Sequence, residues 1–370
     1  MPPLTDQVLR QLQTRRLERE RLIATLDTAM GVEPVRVYAA TVLASARTEN
    51  AQWGIGSSRC RSTLVWRTET TFKLRIRSTH GPQSRDGERQ YSAFGVRHVD
   101  RPAVVTLVVF KDARAFHDGI RRLVRFNRRD LVSPSLSDKR FRHIVEAFSG
   151  AEAFDDLVVT RASVRLRREV TAEDRPGAFS SVAWPTAPLH EAFQWVWDNN
   201  GWFRTLAFAA TRGHHEIGRF SLGRRGEVTA TRRFSSAFRS LCVPVGETFD
   251  EDERVFGHRA RRDLSFGSVR PLVIAYGKQL FSEPAGVRQF VTALRSFPHG
   301  TVSVYHGNPY LHAAILDQID GSSTEVWVTG SDRVLLVPQM RATTWGLKRV
   351  VQHVFDTFAE GDVSDHQVAT

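Results

Sequence analysis

Two histidines and two aspartates occupy a short segment near the carboxyl end of the chain. His306 and His312 flank a Gly-Asn-Pro-Tyr-Leu sequence, and Asp317 and Asp320 follow within fifteen positions of the first histidine. Imidazole and carboxylate groups bind divalent metals, and together they can also act as a general base and the group that orients it. These four residues are therefore the candidate catalytic residues of a metal-dependent nuclease or phosphodiesterase.

The same segment also has a purely structural interpretation. Residues 307–309 are typical of a bend, and Asp320-Gly321 is typical of a tight turn between two strands. If residues 311–319 form a strand, His312 and Asp317 point to opposite faces, because side chains alternate along a strand. The spacing matches no metal-site signature, so the sequence leaves both interpretations open.

Common catalytic motifs are absent from the rest of the sequence. It contains no phosphate-binding loop ending in Gly-Lys-Ser/Thr, no Gly-x-Ser-x-Gly turn and no His-Glu-x-x-His pair. Residues 54–56 lack the third glycine of a dinucleotide site, and His214-His215-Glu216 is typical of a polar turn. Cys60 and Cys242 have no metal-site spacing. We expect no cofactor unless the metal-dependent alternative holds, in which case a divalent metal is the cofactor.

The chain carries a strong positive charge, and arginine supplies almost all of it. Lysine and arginine number 52 against 40 acidic residues, which gives a net charge of +12, and only five of the 52 are lysine. A basic chain favours polyanionic partners, with nucleic acid first and acidic membrane surfaces second. The planar guanidinium group can pair with two phosphate oxygens at once.

Two segments alternate between apolar and cationic side chains, as half-buried strands do. In residues 63–78 one predicted face carries Leu64, Trp66 and Phe72, and residues 157–168 follow the same pattern. A helix predicted after Asp112 adds arginines on its polar side. We predict that these cations form one continuous nucleic-acid-binding surface, made of Arg67, Lys73, Arg75, Arg77, Arg121, Arg122, Arg125, Arg161, Arg165 and Arg167. The alternative is a solvated face whose arginine stems cover apolar surface.

Length and pattern predict an α+β protein, with antiparallel or mixed sheets and helices packed on one side. The 370 residues, 41% of them hydrophobic, suit two domains. We predict an N-terminal α+β domain over 1–170 that opens with a helix over 5–30. A linker over 171–188, a C-terminal α+β domain over 189–360 and a disordered tail over 361–370 follow.

These features favour a subunit that binds the backbone of DNA or RNA without sequence preference, within a multi-protein DNA-processing or genome-defence complex. Two alternatives remain: the metal-dependent nuclease centred on His306 and His312, and a scaffold whose arginines bind acidic protein partners. Protein partners are expected as well as nucleic acid. Two isolated cysteines suit a reducing cytoplasm, and no apolar stretch reaches the roughly 20 residues of a membrane helix.

Overall fold

Two antiparallel sheets and several helices make up the fold, which confirms the predicted α+β class. The computed structural model describes residues 12, 15–32, 35–79, 88–151, 154–166, 181–183, 187–199, 201–213, 215–259, 270–307, 310–339 and 341–365. The chain divides into two compact units. Unit 1 comprises 1–164, 182–196 and 203–248, and unit 2 comprises 165–181, 197–202 and 249–370.

The strands of the larger sheet follow the order β2-β3-β4-β5-β1-β12-β11-β10-β7-β8, with β6 beside β1 and β9 beside β7. Their bounds are β1 Val37–Ala44, β2 Cys60–Arg67, β3 Thr71–Thr79, β4 Glu88–Arg97, β5 Val104–Phe110, β6 Leu131–Val132, β7 Asp156–Leu166, β8 Ser181–Ala183, β9 Ala187–Pro188, β10 Gly201–Arg212, β11 His215–Gly223 and β12 Glu227–Ala230.

The helices are short, and two of them continue from π-helical turns at Ala115–Ile120 and Phe238–Cys242. Their bounds are α1 Arg19–Val32, α2 Ala46–Asn50, α3 Arg121–Phe126, α4 Asp138–Ala151, α5 Leu189–Asp198, α6 Phe234–Ala237, α7 Val243–Phe256, α8 Pro284–Arg295 and α9 Thr344–Thr357. No helix in the described part of the chain is long and apolar enough to cross a membrane.

Strand β5 lies inside the sheet and is buried along its whole length, as its continuous apolar sequence predicts. On one face of the sheet, Phe72 and Leu74 of β3 pack against Phe116 and Ile120. The π-helical turn Ala115–Ile120, which precedes α3, thus buries its apolar side chains against the sheet. The polar side of α3, which carries the arginines, is left facing away from this core.

The predicted N-terminal helix differs from the observed one. Helix α1 begins at Arg19, residues 15–18 have no regular structure, and residues 5–11 lie outside the described residues. The Leu17 carbonyl accepts a hydrogen bond from the Thr71 hydroxyl, and the Glu18 carboxylate accepts from Thr68 and Thr70. Leu17 and Glu18 therefore hydrogen-bond to the β2–β3 turn instead of continuing the helix toward the N-terminus.

A β-bulge at Val65 corrects the predicted faces of β2. Leu64 pairs with Leu74, but Trp66 pairs with Lys73 and Arg67 pairs with Phe72. Because an extra residue shifts the alternation by one, Trp66 lies on the face of Lys73, and Arg67 lies on the face of Phe72. The predicted cationic row on β2 and β3 is therefore interrupted.

Unit 2 contains a six-stranded sheet in the order β14-β15-β16-β17-β13-β18. Helices α8 and α9 supply much of the apolar surface packed on one of its faces, including Phe290 and Leu347. The strand bounds are β13 Leu272–Ala275, β14 Gly300–His306, β15 His312–Asp317, β16 Ser322–Gly330, β17 Arg333–Pro338 and β18 Asp362–Asp365. The apolar pattern of residues 311–319, 324–329 and 333–337 predicts a meander of three strands, and β15, β16 and β17 confirm it.

Residues Asp362–Asp365 belong to this sheet rather than to a disordered tail. They pair with β13, Val363 packs against the apolar cluster of unit 2, and Asp365 forms an ion pair with the buried Arg259. Residues 366–370 lie outside the described residues. Most of the predicted linker also lies outside them, and its described parts form β8 and β9.

A buried polar chain crosses the core of unit 1 on the face opposite Phe72. His98 Nε2 lies 2.9 Å from the Thr106 hydroxyl, which lies 3.0 Å from the Thr41 hydroxyl. Burial, together with smaller contributions from the charges of Arg101 and Arg19, lowers the pKa of His98 to about 4. The imidazole is consequently neutral in the folded protein at pH values where an unfolded histidine is charged.

We expect the free energy of unfolding to fall as pH drops from about 6.5 to 4, by about 3 kcal/mol from His98. In this pH window His98 binds a proton in the unfolded chain and not in the folded chain. The contribution of His98 to the free energy of unfolding is therefore fully present above pH 6.5. Urea unfolding at pH 7, 5.5 and 4.5 measures this. His98→Gln should flatten the dependence, whereas His215→Gln, at an exposed histidine, should leave it unchanged. Equal slopes in all three proteins would contradict the assignment.

Candidate nucleic-acid interface

Three guanidinium groups converge on the ring of Phe126, the last residue of α3. The Cζ atoms of Arg122, Arg59 and Arg125 lie 5.3, 5.6 and 5.8 Å from its centroid. We name these four residues the Phe126 arginine cluster. Each distance is within the range of a cation–π contact, which attracts a cation to the face of an aromatic ring. One aromatic side chain thus gathers three positive charges.

Helix α3 and the loop before β2 position these arginines. Arg122 and Arg125 are three residues apart and share a helix face, while the buried Leu123 anchors the helix in the core. Arg59 lies in a tight loop where the Ser57 hydroxyl accepts hydrogen bonds from the backbone N–H groups of Arg59 and Cys60. The loop is thereby held in place next to the end of β3.

Thr79 connects the loop to the helix. Its backbone N–H donates to the Arg59 carbonyl over 3.0 Å, and its own carbonyl accepts from the Arg122 guanidinium over 2.7 Å. Thr79, the last residue of β3, therefore fixes the position of Arg122 relative to Arg59. Arg59 and Arg125 are exposed, whereas Arg122 is half-buried.

Within the part of the chain that the structure describes, none of these three arginines lies in an ion pair with a carboxylate. Three like charges that share one ring repel each other, and among the described residues the ring and, for Arg122, the Thr79 carbonyl offset that repulsion. An anion placed at the outer edges of the three guanidinium groups would be strongly attracted. Phosphate oxygens fit the paired N–H groups of arginine in geometry and charge.

Several other predicted cations are neutralised by neighbouring carboxylates. Arg67 lies 3.8 Å from Glu49, which also pairs with the buried Arg97 at 2.6 Å. Arg77 lies 3.9 Å from Glu88, and Arg121 donates to Glu227 over 2.7 Å in a bidentate pair. These arginines hold elements of the protein to one another.

The remaining cations are dispersed. Lys73 is buried over the Phe94 ring, and burial lowers its pKa, with a smaller contribution from the charge on Arg75. Arg75 and Arg161 are exposed, and Arg165 lies 5.6 Å from the Trp202 ring centroid. Arg167 lies outside the described residues.

Strand order shows that the predicted single surface does not form from the two arginine-bearing ribbons. Six strands separate β3 from β7, so Arg75 and Arg161 lie about 34 Å apart across the sheet at ~4.8 Å per strand. The sequence pattern predicted both arginine-bearing strands but could not predict how far apart they lie in the sheet. Of the ten predicted binding residues, only Arg122 and Arg125 belong to the Phe126 arginine cluster.

The four predicted catalytic residues separate into two places in unit 2. His306 pairs with His312 across β14 and β15, whereas Asp317 lies at the other end of β15. Five residue steps at ~3.4 Å place His312 about 17 Å from Asp317. The described residues include no group of three or more histidine, cysteine, aspartate or glutamate side chains arranged to hold a metal ion.

Asp317 and Asp320 bind Arg349 of α9. Its Nε lies 2.5 Å from Asp317, and a terminal nitrogen lies 2.6 Å from Asp320. Burial tends to raise the pKa of Asp320, but the Arg349 charge and hydrogen bonds from Ser322 and Thr343 outweigh it and lower that pKa. The Thr343 hydroxyl also caps α9 through the Gly346 N–H. These aspartates fasten the β15–β16 turn to the start of α9.

No model of a protein family matches the chain, and no curated protein matches its sequence. Function must therefore be inferred from the residues themselves. Arg59 is the cluster member that the sequence could not reveal, because it is more than sixty positions from α3. The spacing of Arg122, Arg125 and Phe126 on one helix was the available signal.

If Asp317 and Asp320 have a structural role, Arg349→Met should destabilise unit 2 by about 3 kcal/mol, because it leaves the buried Asp317 charge unpaired. Denaturant unfolding measures this. Arg333→Met removes an exposed arginine beside Asp332 and should cost less than about 1 kcal/mol. Unchanged stability in Arg349→Met, together with loss of a divalent-dependent nuclease activity, would instead place these aspartates in a catalytic site.

Proposed function

We propose that the protein binds nucleic acid through the sugar-phosphate backbone, with the Phe126 arginine cluster as its principal contact. The observation that carries this proposal is the convergence of three guanidinium groups on one ring without a carboxylate partner among the described residues. Phosphate contacts of this kind hold the ligand in register and carry no sequence information. Binding is therefore expected to be sequence-nonspecific.

The size of the cluster supports a polyanion rather than a single small anion. Each guanidinium carbon lies within 5.8 Å of the same centroid, so no two are farther apart than twice that distance. Three charges over this span can contact more than one phosphate of the same strand. Neutralising several phosphates releases their counterions, which supplies affinity even where each contact is exposed to solvent.

The net charge of +12 supports the same partner, because it attracts a polyanion before contact is made. Both cysteines are buried free thiols, which suits a reducing compartment such as the cytoplasm. Membership of a DNA-processing or genome-defence complex extends this proposal: a chain that contacts only the backbone would depend on protein partners for its choice of target.

We expect Arg59→Ala/Arg125→Ala to weaken binding to a 20-base-pair duplex at least tenfold in 50 mM salt, measured by fluorescence anisotropy. The slope of log affinity against log salt concentration should fall by about 2 units, since two phosphate contacts are lost. Neither arginine donates a hydrogen bond within the described residues through its guanidinium, so the fold should be retained.

Arg47→Ala/Arg142→Ala is the matched control, because it removes the same charge from exposed positions outside the cluster. It should change the affinity less than threefold. If both double variants weaken binding equally, the loss of affinity follows from net charge alone, and the Phe126 arginine cluster is not the binding site. Binding to anionic lipid vesicles but not to nucleic acid would identify a membrane surface as the ligand instead.

A further inference from the structure

The outer face of the unit 2 sheet carries a row of aromatic rings. His312 stacks on Trp327 with ring centroids 3.6 Å apart and an interplanar angle of 14°, and Tyr305 follows at 4.9 Å from His312. The three rings belong to three adjacent strands, β14, β15 and β16. We name Tyr305, His312 and Trp327 the aromatic row.

Strand register places the aromatic row on the face away from the apolar core. His312 pairs with Trp327 on one side and with His306 on the other, and directly paired residues share a face. Their neighbours Leu311 and Ala313 point the opposite way and are buried in the core. The row therefore does not belong to the packing between this sheet and α8 and α9.

A β-bulge turns the end of the row outward. The register of β14 against β15 shifts between Val304 and His306, which leaves Tyr305 as the extra residue. Bulges commonly re-aim a side chain at a functional site. Tyr305 is 63% exposed although its ring contacts His312, and β14 is an edge strand. The last ring of the row is thus open to solvent.

Glu325 lies against the other two rings of the row. Its carboxylate accepts a hydrogen bond from Trp327 Nε1 over 3.2 Å and lies 3.5 Å from His312 Nε2. Trp327 is half-buried and is held by this hydrogen bond, and the half-buried His312 is held by its stacking on Trp327. The exposed Tyr305 ring contacts His312 at a tilt of 52°, so its outer face is open for stacking while one ring backs it.

Glu325 is the carboxylate that touches the His312 and Trp327 rings, whereas β14 and the turn that follows it add no charged residue to the row. Between Arg295 and Asp317 the sequence contains no lysine, arginine, aspartate or glutamate, although a quarter of the whole chain is charged. A carboxylate next to Tyr305 would repel a phosphate backbone, and none is supplied by β14 or by the turn that follows it. A flat aromatic ligand therefore fits the exposed Tyr305 ring, which is the end of the row away from Glu325.

We propose that the aromatic row stacks on unpaired bases of single-stranded nucleic acid. This proposal rests on the proposed function and narrows it to strands whose bases are accessible, because bases in a duplex are already stacked on each other. Every base has an aromatic face, so stacking adds affinity without sequence preference. Stacking is not ionic, so it adds affinity that salt does not remove, unlike the contacts of the Phe126 arginine cluster.

The test measures the affinity of Tyr305→Ala for a 20-nucleotide oligothymidylate and for a duplex of equal length. We expect about tenfold weaker binding to the single strand, within the range known for one stacked base, and less than a twofold change for the duplex. The slope of log affinity against log salt concentration should stay the same. Tyr305→Phe keeps the ring and should restore binding.

Trp197→Ala controls for loss of an exposed aromatic side chain elsewhere in unit 2 and should leave both affinities unchanged. Equal losses for single strand and duplex, or no loss for either, would overturn the stacking proposal. If Arg59→Ala/Arg125→Ala still weakens binding in that case, the proposed function survives. A wild-type protein that binds neither oligonucleotide would overturn both. A shift of Tyr305→Ala from dimer to monomer would show self-association at this face and overturn the stacking proposal.

Discussion

A guanidinium group keeps its charge at every physiological pH, so each of the 47 arginines in this chain needs water, a carboxylate or an aromatic ring beside it. Where the arginine is buried, a carboxylate supplies the compensation. Arg97 pairs with Glu49, Arg224 with Asp138 and Arg259 with Asp365. These pairs leave fewer carboxylates for the rest of the surface. Cations that gather without one become the candidate sites for an external anion, and the Phe126 arginine cluster is such a gathering.

Two β-bulges decide which side chains reach the surfaces that matter here. The bulge at Val65 moves Arg67 to the face of Phe72, where Glu49 neutralises it. The bulge at Tyr305 keeps an exposed ring beside His312 on the outer face of its sheet. Both occur on edge strands, where an extra residue disturbs only one neighbouring pair of strands. One extra residue in a strand thus takes Arg67 out of the predicted cationic row, and another places Tyr305 beside His312.

Local pattern predicted the α+β class, the buried β5 and the meander of unit 2, because burial follows period two in strands and 3.6 in helices. It also predicted that Arg122 and Arg125 share a helix face. Pattern could not predict strand order, so it could not separate the ribbon with Arg75 from the ribbon with Arg161. Nor could it bring Arg59 to Phe126, since that contact depends on the loop held by Ser57 and Thr79. The chemistry of His306 and His312 predicts a catalytic role, which stays a prediction, and the fold gives His312 a stacking neighbour in Trp327 that no sequence pattern indicated.

Chemical footprinting of arginine reports directly where the nucleic acid lies on the protein. The protein would be treated with phenylglyoxal, with and without a saturating oligonucleotide, and each arginine would be quantified by mass spectrometry. We expect strong protection of Arg59 and Arg125, while Arg47, which lies outside the cluster with a side chain that is 82% exposed, stays reactive. Protection spread evenly over all exposed arginines, or absent from Arg59 and Arg125 while binding is complete, would rule out the Phe126 arginine cluster as the principal contact.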